Sequence, residues 1–156
     1  MRIAVVDDEP LCRANLVSML REQYPSAQID EYEDGTPAWK AIQQDNGFDL
    51  VITDMSMITM DGMELAERIY EKYPDMQILF ETAESERTLR QMGVQIERCL
   101  LKPVFEPELR EKIDNLSDLP PFEIKPKQEV AVEQKIPQAV EKKHVGFLKN
   151  VLRTIK

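Results

Sequence analysis

Histidine and cysteine are almost missing from this 156-residue sequence: His144 stands alone, and Cys12 and Cys99 are the only thiols. Two cysteines cannot build a framework of bridges, and their scarcity fits a reducing compartment, so a cytoplasmic location is expected. His144 has no neighbouring Cys or His with which to hold a metal ion and reads as an exposed linker residue. Long apolar runs are missing as well. No stretch approaches the roughly 18 apolar residues of a membrane span. The N-terminus enters Ile3-Ala4-Val5-Val6 directly, with no apolar leader or small-residue cleavage site ahead of it, so neither a signal peptide nor membrane binding is expected. Basic charge is also short: 20 Lys and Arg stand against 29 Asp and Glu, a net charge of −9. A nucleic-acid binder carries a basic footprint, so direct nucleic-acid binding is not expected.

What is present is unevenly spread. Residues 120–156 carry eight basic side chains against four acidic, a net of +4, which leaves −13 for residues 1–119. Prolines 120, 121, 126 and 137 fall among Lys, Glu and Gln, the composition of an extended linker. Further on, Phe147, Leu148, Val151, Leu152 and Ile155 recur at helical spacing opposite Lys142, Lys149 and Arg153. The expected organisation is one folded domain over 1–119, a Pro/Lys/Glu-rich linker over 120–141 and a basic amphipathic C-terminal helix over 142–156.

Within residues 1–119, short apolar runs alternate with helical patterns. Ile3–Val6, Leu50–Thr53, Ile78–Phe80 and Cys99–Leu101 read as strands buried on both faces, with Gln28–Tyr32 as a less buried one. Between and after them, apolar spacing predicts helices around Leu11–Leu20, Ala38–Ile42 (capped by Thr36, with Pro37 at its first position), Leu65–Tyr73, a weak one at Leu89–Met92 closed by Gly93, and Leu109–Leu116. Five strand-then-helix units with short connections predict an α/β fold, a doubly wound parallel sheet with helices on both faces.

Ligands of such sheets bind outside the carboxyl ends of the strands. Those ends carry Asp7-Asp8-Glu9 after the first strand and Thr53-Asp54 after the third. Glu81-Thr82-Ala83 follows the fourth and Lys102-Pro103 the fifth. Clustered carboxylates repel one another unless a hard cation sits among them, and Mg²⁺ takes oxygen ligands. An aspartate can be a nucleophile towards phosphorus, while an ammonium and a hydroxyl neutralise and hold the transferred oxygens.

Asp7-Asp8, Asp54, Thr82 and Lys102-Pro103 together resemble the pattern of response-regulator receiver domains of two-component signalling, over about residues 1–119. The resemblance implies a flavodoxin-like sheet of five strands in the order 2-1-3-4-5 with five helices, followed here by a C-terminal extension. It implies Asp54 as phosphoacceptor, with Mg²⁺ held by Asp8 directly, Asp7 through water, Asp54 and the Ser56 carbonyl. Lys102 would pair with the phosphoryl group across a cis Lys102-Pro103 bond, and Thr82 would be the switch hydroxyl. The donor would be a histidine kinase or phosphotransfer protein. Output would run to a downstream protein partner, through the face of the fourth helix, fifth strand and fifth helix (Arg87, Arg90, Gln91, Arg98, Glu108) or through the tail, with room for a homodimer. The chain would not be an enzyme beyond its own phosphoryl transfer and hydrolysis.

Two positions depart from the family's pattern. Ile58 stands where a proline is usual, which puts the rigidity of the loop Met55–Met60 in question, and Cys99 replaces the usual aromatic three residues before the lysine. The 37 residues after 119 are too few for a winged-helix module, so no DNA-binding domain is expected in this chain. The alternatives are a pseudo-receiver that binds protein without phosphorylation and an Asp-nucleophile metal-dependent phosphatase. The phosphatase would carry Asp-x-Asp where this chain has adjacent Asp7-Asp8.

Overall fold

A computed structural model describes residues 1–45 and 47–123. The expectations for the linker from residue 124 and for the helix over 142–156 lie outside the described residues. Strands β1 (Arg2–Val6), β2 (Gln28–Tyr32), β3 (Leu50–Asp54), β4 (Gln77–Thr82) and β5 (Cys99–Leu101) form one parallel sheet in the order 2-1-3-4-5. Helices α1 (Pro10–Gln23), α2 (Gly35–Gln44), α3 (Gly62–Lys72), α4 (Glu86–Gln91) and α5 (Glu106–Asp114) connect and follow them. β1, β3 and β4 lie inside the sheet with both faces covered, which is why their sequences are apolar without alternation. β2, at one edge, is only half-buried and correspondingly polar.

The alternating side chains divide the core in two. Ile3, Val5, Leu50, Ile52, Leu79 and Leu100 face α1 and α5 through Leu16, Leu20 and Leu109. Ala4, Val6, Val51, Ile78, Phe80 and Cys99 face the other side, against Ala38 and Ile42 of α2, Leu65 and Ile69 of α3 and Leu89 of α4. The register aligns the strand ends: Asp54 pairs with Glu81, and Thr82 with Leu101.

Several local expectations change. α2 is capped by Asp34, whose side chain accepts from the Thr36 amide, not by Thr36. Leu11 lies in the first turn of α1 but is exposed, and Leu116 belongs to a 3₁₀ turn at Leu116–Asp118 after α5 has ended. A second 3₁₀ turn, Ile96–Arg98, leads into β5. Arg98, expected on an outward reporting face, is 2% exposed and points into the fold. The chain also does not leave the body at residue 119: Phe122 is buried in the core on the α3 side.

Candidate functional site

Five of the predicted side chains, from four strand ends, lie at the carboxyl edge of the sheet, and four of them, Asp7, Asp8, Asp54 and Lys102, come together there. Asp7 follows β1 and is wholly buried, its backbone amide held by the Tyr32 carbonyl and its carbonyl accepting from Arg13 Nη1. Asp8 stands beside it, half-buried, and Asp54 closes β3. One carboxylate oxygen from each of Asp7, Asp8 and Asp54 lies within 4.8 Å of the others. Lys102 follows β5, its Nζ 2.9 Å from Asp54 Oδ2, 3.2 Å from Asp7 Oδ2 and 3.7 Å from Glu9 Oε1. The Lys102-Pro103 bond is cis. Thr82 closes β4, buried, with Oγ1 accepting from the Glu84 amide at 3.0 Å. Ser56 is exposed, and its amide donates to Asp54 Oδ1 at 3.1 Å.

The electrostatics are those of a negative pocket with too little positive charge. Burial pushes the Asp7 carboxyl up, against the Glu9 amide and the Lys102 charge, which pull it down. Burial alone would lower the Lys102 ammonium, but its bonds and charge interactions with Asp54 and Asp7 outweigh that and raise it. One ammonium faces three clustered carboxylates, all hard oxygen donors, a set that fits a divalent cation such as Mg²⁺.

Four further features shape the surroundings of these side chains. Gly62 is required by close approach: a Cβ there would lie 2.2 Å from the Asp54 carbonyl oxygen. Asp34 reaches from the start of α2 to the β3–α3 loop, accepting from Thr59 N at 3.0 Å and Met60 N at 3.3 Å. This bracing, with Met55, Met57 and Met60 buried, orders the loop that lacks proline at Ile58; Ile58 itself is 91% exposed. Glu81, last but one in β4, is buried, and burial pushes its carboxyl up to about 7, with Asp7, Asp54 and Glu9 adding to the shift against Lys102. Strand alternation turns it to the sheet face opposite Thr82 and onto the face of Asp54, its register partner. Beside Asp54 opens a cleft of about 450 Å³, walled by Met55, Met57, Met63 and Met92 with Asp61 and Glu84 at its rim.

A doubly wound parallel sheet with an acidic pocket and one lysine at its carboxyl edge defines a class of phosphoryl- or cation-binding α/β proteins. Comparison with known proteins narrows it. The model of the response regulator receiver domain matches residues 3–114, and the chain belongs to that family. Its members signal in two-component systems and bind Mg²⁺. The chain is 32% identical over 114 residues to the two-component response regulator ORR21 of Oryza sativa subsp. indica, a match covering 70% of this chain and 16% of that protein. It is 27% identical over 120 residues to a chemotaxis protein CheY homolog of Campylobacter jejuni, covering 74% of this chain and 92% of the relative. Among solved structures, the response regulator TrrA of Thermotoga maritima in complex with Mg(2+)-BeF is 35% identical with a TM-score of 0.63, covering 74% of this chain and 97% of that one.

Proposed function

We propose that Asp54 accepts a phosphoryl group from a histidine kinase or histidine phosphotransfer protein, and that the chain signals by the conformational change that follows. The observation that carries this is the convergence of Asp7, Asp8 and Asp54 within 4.8 Å, with Lys102 Nζ 2.9 Å from Asp54. Asp7, Asp8, Asp54 and the Ser56 carbonyl would hold Mg²⁺, which supplies charge neutralisation for the phosphoryl oxygens. Asp54 Oδ is the nucleophile: the P–O bond to it forms as the donor's P–N bond breaks, and the donor's histidine leaves with the electron pair of that bond. Lys102 gives up part of its bonding to Asp54 and pairs with the new phosphoryl oxygens. Thr82 turns its hydroxyl from the Glu84 amide to donate to one of them, which moves the β4–α4 loop.

The Met-walled cleft beside Asp54 supports a protein donor, since unbranched thioether side chains adapt to an incoming apolar surface. Output runs to a protein partner through the α4–β5–α5 face or the chain after it, in a cytoplasmic setting. The folded unit that acts is residues 1–119 together with the packed residues 120–122.

Incubation with acetyl phosphate and Mg²⁺, followed by intact mass, tests the reading. One phosphoryl group per chain, lost in Asp54→Asn, is expected. Steady release of phosphate from esters with no adduct would instead indicate the phosphatase, and inertness the pseudo-receiver.

A further inference from the structure

Helix α4 is too short to roof its part of the sheet. Its six residues bury only Leu89, and the chain turns away at Gly93, whose φ of 76° favours glycine. Beneath the gap Phe80 of β4 and Cys99 of β5 lie side by side in register. The cover comes from the far end of the described chain. Leu116 packs on the α1/α5 side of the sheet and Phe122 on the α2/α3/α4 side, so residues 117–121 pass around the β5 edge. Phe122 is 4% exposed, its ring centroid 5.5 Å from that of Phe80 and 6.2 Å from that of Tyr70 on α3.

The crossing is held by bonds to its carbonyls. Arg98 Nη2 donates to the Pro120 carbonyl at 2.7 Å, and Gln95 Nε2 to the Pro121 carbonyl at 3.4 Å. Two prolines suit such a segment, because they bring no N–H groups and leave only carbonyls to satisfy.

We propose that Pro120–Phe122 is a strap over the β4–β5 edge whose seating is coupled to Asp54, so that phosphorylation opens it; this rests on the phosphoacceptor reading above. Phe80 lies two residues before Thr82 on the same face of β4, and Thr82 accepts from Glu84 at the entry to α4. Phe80, Phe122 and Leu89 of α4 belong to one packed cluster. A phosphoryl group that draws the Thr82 hydroxyl away takes this acceptor from the loop and shifts α4. A core packed to crystal density answers by repacking between discrete arrangements, not by stretching. Phe122, carried by no helix or strand, is the member that can leave with least else moving.

Cys99 is the natural reporter. Its thiol is buried, donates to the Gln95 carbonyl at 3.5 Å, and so sits under the residue that holds the strap. In a Cys12→Ser protein, maleimide labelling of Cys99 is followed with and without acetyl phosphate and Mg²⁺, and intact mass reads the adduct in the same samples. Labelling about tenfold faster in the phosphorylated protein is expected. Phe122→Ala should label fast without any phosphodonor and gain little from it, with circular dichroism confirming the fold; Phe122→Leu makes the same comparison if Phe122→Ala unfolds. An adduct without acceleration overturns the coupling, and folded variants that label no faster overturn the strap. Absence of the adduct overturns the phosphoacceptor reading and the coupling with it.

Discussion

Lys102 and Arg98 flank the three-residue strand β5, one after it and one before, and both carry their charge largely out of water. They are held in opposite ways. Lys102 reaches three carboxylates, those of Asp54, Asp7 and Glu9. Arg98 meets only neutral acceptors: the Ile78 and Pro120 carbonyls and the side-chain oxygens of Gln77 and Gln95. No carboxylate among the described residues pairs with it, and burial accordingly lowers its guanidinium. A charge held by charges responds to whatever alters them, a proton, a cation or a phosphoryl group. One held by neutral groups is not altered by these directly; it fixes geometry and answers only when an acceptor such as the Pro120 carbonyl moves. Lys102 therefore sits where a change of charge is felt directly, and Arg98 where neutral acceptors from three parts of the chain are tied together.

Removing each cation in turn separates the two cases, and this carries the largest expected effect. Arg98→Met should destabilise by about 3 kcal/mol, because buried carbonyls and amides lose their donor. The loss should be the same at about pH 5 and about pH 8, since none of its four acceptors titrates. Lys102→Met leaves Asp7 and Asp54 without their cation and should cost about 2 kcal/mol at about pH 8. That loss should shrink at lower pH as the Asp7 carboxyl, pushed up by burial, takes up its proton. Urea midpoints at the two pH values decide the matter, and a pH-dependent loss at Arg98 would break the comparison.

Glu81 offers the next test, from the acidic side. Its carboxyl, raised to about 7, binds its proton more tightly folded than unfolded. The contribution of Glu81 to stability is therefore greatest below the ordinary glutamate range and falls as pH rises from about 4.5 through about 7. Glu81→Gln, which keeps the shape without the charge, should gain about 2 kcal/mol at about pH 8 without divalent cation and nothing near pH 4. Parallel stability–pH curves for the two proteins would show that Glu81 is not coupled to the pocket.

What was legible in the sequence follows the same division. A buried parallel strand has no solvent face, so Ile3–Val6, Leu50–Thr53 and Ile78–Phe80 stand out as unbroken apolar runs. The polar residues just after them must share one sheet edge. That is why Asp7, Asp54, Thr82 and Lys102 read from the sequence as neighbours on one edge. Arg98 was misplaced because a charged residue beside a strand reads as surface, and its acceptors at Ile78 and Pro120 are distant in sequence and belong to the backbone. Pro120-Pro121 reads as linker for the same reason: its partners lie in the 3₁₀ turn before β5, and no local pattern shows them. The cap of α2 was missed by two residues, because Thr36 and Asp34 both have capping chemistry and only the backbone decides between them.

Asp34 sharpens the comparison last and with the smallest effect. Like Arg98 it is a charge held by neutral groups, here the Thr36, Thr59 and Met60 amides, but unlike Arg98 it can titrate. Its partial burial works against the charged form, yet the amide bonds outweigh that and hold the carboxyl below its ordinary range. The sign is opposite to that of Glu81: the stability Asp34 contributes is present above the ordinary aspartate range and is lost as pH falls through the lowered folded value. Asp34→Ala should cost about 1 kcal/mol near neutrality, the usual worth of a helix cap. The difference should vanish in acid, where the wild-type carboxyl is itself protonated. Because the same carboxylate braces Thr59 and Met60, the variant should also slow adduct formation at Asp54. Adduct formation at the wild-type rate in the Asp34 variant would mean that this brace does not position the loop after Asp54.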